Sequence, residues 1–172
     1  MDASRDPARV RLLLLDADGT LTDGGILVDG HGVEMKRFCV RDGFAIRAWL
    51  RSGRELAVIT GRGEVSLRHR LVDLGVRHIV TASGPKGAVV ESLVQRLGLT
   101  PEQVAAMGDD LPDLAMLGQV GYPMAVADAV PEVQEVAAWR SRARGGHGAV
   151  REAIEHLLRA SGAWQAVVEA QR

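Results

Sequence analysis

Short runs of consecutive apolar residues alternate along this chain with longer stretches in which apolar residues recur every three or four positions. The runs are "VRLLLLD" (10–16), "ELAVIT" (55–60), "HIV" (78–80), "VAAMGDD" (104–110) and "YPMAVA" (122–127). Continuous apolar runs of this length predict strands buried on both faces, as in a parallel sheet covered by helices. Between them the spacing turns helical. Phe44, Ile46, Trp49 and Leu50 predict a helix over 43–52. A second helix is expected from about Glu64 to Leu74, closed by Gly75, and a third from Lys86 to Leu97, closed by Gly98. A helix near 131–138, a short strand near 139–142 and a long helix from about Ala149 complete the order. One stretch departs from the alternation: "GILVDGHGVEMKRF" (25–38) reads as two short strands around the turn "DGHG". The whole predicts an α/β, Rossmann-like, doubly wound, mainly parallel sheet with right-handed crossovers and a β-hairpin flap after strand one. No repeat, low-complexity tract or linker divides residues 1–172. A single domain is expected, with 142–172 its flexible end and "RARGGHGAVRE" the loosest part.

Composition narrows this picture. Aromatic residues are only 3% of the chain, so the core must be built from Leu, Val, Ala and Ile. A net charge of -1 carries no electrostatic footprint for nucleic acid or an anionic membrane, and neither is expected as a partner. One cysteine, Cys39, excludes an intramolecular disulfide framework and a multi-cysteine metal site, and suits a reducing, cytoplasmic setting. The opening "MDASRDPARV" has acids and a proline where a signal peptide has an apolar core. "LLLL" and "LAVIT" are too short to span a bilayer.

The chemistry-bearing residues gather at the predicted strand ends, where open α/β sheets bind ligands. Asp16 and Asp18 follow strand one; Thr60, Gly61 and Arg62 follow the second run; Lys86 follows the third; Asp109, Asp110 and Asp113 follow the fourth. Acids, a lysine and a threonine brought to one edge suit a divalent cation beside a phosphoryl group. Mg²⁺ takes hard oxygen ligands, and the Asp16 and Asp109 carboxylates are the candidates to hold it. Alternate strand residues face opposite sides. Asp18 can therefore give its backbone carbonyl to the metal and keep its carboxyl for proton transfer. Lys86 would neutralise developing phosphoryl charge, and Thr60 would donate to a phosphate oxygen. Plainer roles stand beside these: Asp110 favouring a helix dipole, Arg62 merely solvated, Arg41 and Asp42 either shaping the site entrance or capping the following helix.

"DADGT", "ITGR", "GPKGAV" and "GDDLPD" resemble, in order, the four motifs of the haloacid dehalogenase superfamily. "VRDG" and "GGHGAVRE" make the chain similar to the capless branch of 3-deoxy-D-manno-octulosonate 8-phosphate (KDO 8-phosphate) phosphatases. Phosphatases of nine-carbon sugar-acid 9-phosphates, and a phosphatase-like domain fused to some sialate cytidylyltransferases, share this pattern. The resemblance implies Mg²⁺-dependent hydrolysis of a small phosphorylated sugar acid, in lipopolysaccharide biosynthesis for the octulosonate. In that scheme Asp16 forms an aspartyl-phosphate, and Asp18 protonates the leaving oxygen and then deprotonates water. Asp16, Asp18 and Asp109 bind metal. Asp113 orients Lys86 or a metal-bound water, with Asp110 subordinate to it, and Arg62 reaches substrate or phosphate. Phosphotransfer to another acceptor and a non-catalytic assembly role are the rival readings. His147 stands where the branch carries an arginine, and Thr20, where many relatives carry valine, is expected to change little.

The gaps between motifs leave no room for a cap domain. The resemblance suggests a homotetramer in which hairpins pack together, burying Ile26, Val28, Val33, Met35 and Phe38, while the tail near 145–148 reaches into an adjacent site. A neighbour would then cover each active site.

Overall fold

Leu12–Leu15 (β1) is the centre of the molecule, and all four leucines are completely buried. Residues 5–63 and 65–172 are described here, in a computed structural model. Residues 1–4 and the expected helix start at Glu64 lie outside them. β1 pairs in parallel with Glu55–Thr60 (β4) on one side and Val104–Gly108 (β6) on the other. His78–Thr81 (β5), Tyr122–Ala125 (β7) and Trp139–Arg140 (β8) extend the sheet, giving the order β5-β4-β1-β6-β7-β8, parallel throughout. Each four-leucine-like run is possible only because both faces are covered. Burying each such side chain contributes about 1.5–3 kcal/mol. The order of strands reverses between β1 and β6, and that switch point is where a doubly wound sheet opens a crevice.

Helices pack both faces. Val40–Arg51 (α1) buries Ala45, Ile46, Ala48 and Trp49, whose indole N–H donates to Glu55 O at 2.7 Å. Val65–Asp73 (α2) and Gly87–Leu97 (α3) follow β4 and β5. Gly98 ends α3 in the left-handed conformation (φ 63°). Leu114–Leu117 (α4) and Pro131–Val136 (α5) are short. Ala149–Ala160 (α6) buries Val150, Ala153, Ile154, Leu157 and Leu158, one helical stripe that faces α1. The long C-terminal helix expected from the pattern is two helices. Gly162 adopts φ +73°, Ala163 N–H returns to Leu158 O at 2.8 Å, and a separate Trp164–Glu169 (α7) begins.

Leu27–Val28 (β2) and Glu34–Met35 (β3) form the antiparallel hairpin. Ile26, Leu27, Val28, Val33 and Met35 are each more than half exposed, whereas Phe38 packs against the chain's own core. Among the described residues, only this hairpin and α1 lie between β1 and β4, and only α2 and β5 between β4 and α3. The 142–148 stretch, whose glycines predict looseness, is seated on the loop after β1. Gly146 N–H donates to Thr20 O at 3.1 Å, and a Cβ on Gly145 would fall 1.6 Å from Gly19 O. No helix among the described residues is long and apolar enough to cross a membrane.

Candidate active site

Asp16 is the first residue beyond β1, tied into the sheet by its N–H to Met107 O at 3.0 Å. Its carboxylate is buried, and Lys86, at the start of α3, donates to Oδ1 at 2.5 Å. The same ammonium donates to Asp113 Oδ1 at 2.6 Å. Asp113 Oδ2 accepts the N–H groups of Asp109 (2.9 Å) and Asp110 (3.3 Å), so both of its oxygens are committed. Asp109, after β6, accepts the Thr20 hydroxyl at 2.9 Å. Oxygens of Asp16, Asp109 and Asp113 lie within 4.8 Å of one another, a potential metal site. Gly19 (φ +96°) makes this approach possible, since a Cβ there would stand 2.0 Å from Asp109 Oδ2.

Crowding shows in the proton affinities. Burial, then the charge of Asp113, raises the Asp16 carboxyl from its usual range to about 6, against the opposing pull of Lys86. Burial, then the charge of Asp16, raises Asp109 to about 8. Burial pulls the Lys86 ammonium down, but Asp16 and Asp113 outweigh it and hold it above the ordinary lysine range. One lysine does not neutralise three carboxylates. Two of them, Asp16 and Asp109, keep oxygens that a hard cation would relieve, so the donor set fits Mg²⁺.

The remaining residues divide. Asp18 is not one of the three clustered acids, and its carboxylate pairs with Lys36. That separation fits an acid reserved for proton transfer. Thr60 is buried, and its hydroxyl accepts Arg62 N–H at 3.1 Å and donates to Arg62 O at 3.2 Å, closing the turn through Gly61. The Arg62 guanidinium reaches the hairpin, donating to both Glu34 oxygens at 2.8 Å. Asp110 is exposed and caps the turn after it by accepting Leu111 N–H at 2.8 Å. His147 Nδ1 lies 2.7 Å from Gly145 O and its Nε2 3.4 Å from Arg37, which also pairs with Asp23. Asp42 caps a helix, though not its own. Its Oδ1 accepts Arg151 N–H of α6 at 2.7 Å, and burial raises its carboxyl above the usual range. Arg41 donates to His147 O at 2.9 Å.

Two residues escaped the sequence pattern. Thr20 holds Asp109 although the sequence suggested that it changes little, and its zero exposure is the signal, visible only in three dimensions. Lys36 was hidden inside the apolar alternation of the hairpin.

Buried carboxylates clamped by a lysine at the switch point of a doubly wound sheet fit an α/β hydrolase acting on phosphate esters. A family model for haloacid dehalogenase-like hydrolases matches residues 73–152. The chain is 42% identical to 3-deoxy-D-manno-octulosonate 8-phosphate phosphatase KdsC of Escherichia coli over 94% of this chain and 86% of that protein. The crystal structure of the phosphatase of that name from Moraxella catarrhalis, in complex with magnesium, phosphate and KDO, superposes with a TM-score of 0.95 at 32% identity, covering 99% of this chain and 98% of that one. The cobalt-bound enzyme of Haemophilus influenzae gives 0.88 at 34% identity, covering 92% of each. The chain belongs to the haloacid dehalogenase-like hydrolases, in the family of the 3-deoxy-D-manno-octulosonate 8-phosphate phosphatases.

Proposed function

We propose that this protein hydrolyses 3-deoxy-D-manno-octulosonate 8-phosphate, with Mg²⁺, as a single capless domain in the cytoplasm, on the route to lipopolysaccharide. The observation that carries the reading is the Asp16–Lys86–Asp113 chain beside Asp109 at the sheet's switch point. Bound Mg²⁺, held by the carboxylates of Asp16 and Asp109 and the backbone carbonyl of Asp18, would lower the charge of the transferring phosphoryl group.

This chain's residues account for the rest. An Asp16 oxygen attacks phosphorus as the bond to the sugar oxygen breaks, and Asp18 gives that oxygen a proton. Water then attacks phosphorus, Asp18 takes a proton from it, and Asp16 is released. Lys86 stabilises the charge passing across Asp16, and Asp113 and the capping Asp110 hold the loop that orients Lys86. The Thr60 hydroxyl, the Gly61 N–H and Arg62 line the phosphate side. The exposed apolar hairpin supports a homotetramer in which a second subunit covers the open site, because two strands alone are marginal in water.

Phosphate release is measured on the octulosonate 8-phosphate and on a nine-carbon sugar-acid 9-phosphate, with and without chelator, for the native chain and Asp16→Asn. Release from the octulosonate, abolished by chelator and by Asp16→Asn, is expected. Faster turnover of the nine-carbon substrate would reassign the sugar, and phosphate passing to an acceptor other than water would make the protein a transferase. Full activity of Asp16→Asn would remove the nucleophile.

A further inference from the structure

We propose that Lys36, carried on the hairpin, is a positioning residue for Asp18: its ammonium fixes that carboxyl toward the leaving oxygen, so proton delivery depends on a seated flap. The proposal rests on the reading of Asp18 as acid and base.

Its basis is the placement of one lysine. Side chains of an extended strand alternate between faces. At β3 the outward set is Val33 and Met35, each more than half exposed. The inward set is Glu34 and Lys36, and both end on loops of the site: Glu34 on Arg62, Lys36 on Asp18. The Lys36 side chain is 3% exposed. Lysine is almost never buried to this degree without an anionic partner, and among the described residues Lys36 meets Asp18, 30% exposed at the mouth of the site.

Asp16 and Asp18 therefore each meet a different lysine from a different element. Lys86 arrives from α3 and engages the nucleophile, while Lys36 arrives from the flap and engages the acid. An ammonium on Asp18 Oδ1 restricts the carboxyl to one orientation and leaves Oδ2 for the substrate. Arg37 on Asp23 and Glu34 on Arg62 secure the flap on both sides of this contact. Lifting the hairpin breaks all three ion pairs and frees the Asp18 carboxyl to rotate. The proton transferred is always that of Asp18. It goes to the sugar oxygen as the P–O bond breaks and is replaced from water in the second half.

The test exploits leaving-group chemistry. An alkyl sugar oxygen needs a proton to depart, whereas p-nitrophenolate departs as a stable anion. Steady-state constants are measured for the full chain with Mg²⁺ on the faster sugar-acid phosphate and on p-nitrophenyl phosphate, for Lys36→Met, Lys36→Arg, Asp18→Asn and the Lys36→Met/Asp18→Asn double variant. Lys36→Met is expected to lower kcat on the sugar phosphate about 100-fold, at least ~10-fold more than on the aryl ester, with a smaller change in KM. Lys36→Arg should restore part of the loss, and the double variant should be no worse than Asp18→Asn. Equal losses on both esters, or additive losses in the double variant, would overturn the proposal; the Lys36→Arg comparison decides alone if Lys36→Met does not fold. If Asp18→Asn itself lacks the leaving-group signature, the acid-base reading falls and this proposal with it. If only Lys36→Met lacks it, the proposal alone falls.

Discussion

Asp113 accepts the Lys86 ammonium at 2.6 Å with one carboxylate oxygen while its other oxygen holds Asp109 N–H at 2.9 Å. A single side chain thus ties the charge-neutralising lysine to the loop bearing a metal-ligand candidate. Asp113→Ala leaves Lys86 paired with Asp16 but takes the acceptor from the Asp109 and Asp110 N–H groups, and a buried donor left without a partner costs about 1–3 kcal/mol. The variant is expected to lower the melting temperature by roughly 2 °C or more and to depress kcat. A calorimetric shift under 2 °C would contradict this role.

Thr20 orients Asp109 through one hydroxyl. Partners that orient metal ligands are worth about 10–100-fold in affinity. Thr20→Val keeps the shape and removes the donor, so half-maximal activity should need at least ~10-fold more Mg²⁺, with stability little changed. A Mg²⁺ titration of activity measures this.

Stability without metal should fall as pH rises. Asp16 and Asp109 are raised from 3.8 to about 6 and about 8 in the folded protein. Between these limits the folded state holds more protons than the unfolded one, so stability is greatest below pH 4 as far as these two groups decide it. It is lost as pH climbs through 6 and 8. Mg²⁺ binds the ionised pair. Its thermal stabilisation should therefore be larger at pH 8.5 than at pH 5.5, as differential scanning fluorimetry can read.

Gly145 lies so close to Gly19 that a Cβ would overlap its carbonyl oxygen. Backbone on both sides leaves nothing flexible to yield. Gly145→Ala should destabilise by about 1–3 kcal/mol and disturb the nucleophile loop, lowering kcat together with the melting temperature. Gly30→Ala, with open space around its Cβ, is the matched control.

The hairpin prediction concerns assembly. Leu27→Lys with Met35→Glu places opposite charges at paired positions on exposed apolar strands. Sedimentation should show the native chain as a tetramer and this variant as a smaller species with unaltered far-ultraviolet circular dichroism. A native monomer at working concentration would remove the assembly.

Much of the molecule was legible in one dimension. Four of the five longer strands announce themselves because a strand buried on both faces must be largely apolar, as Leu12–Leu15 and Val104–Gly108 are, whereas the edge strand β5 is only half-buried. The site acids and Lys86 were visible because each follows such a run, and parallel strands deliver their ends to one edge. The break at Gly162 was harder to read, since the apolar spacing continues into α7 around it.

What the sequence determined by itself was the set of elements and the chemical character of their ends, because burial periodicity and residue type are local properties. Only the tertiary structure decided which polar groups touch. Asp113 reaches back to Lys86, Thr20 reaches Asp109, Asp42 caps a helix more than a hundred residues away, and Lys36 turns inward onto Asp18. Such pairings depend on how strand order and hairpin twist bring distant loops within hydrogen-bond range, and no local pattern encodes a distance across the fold.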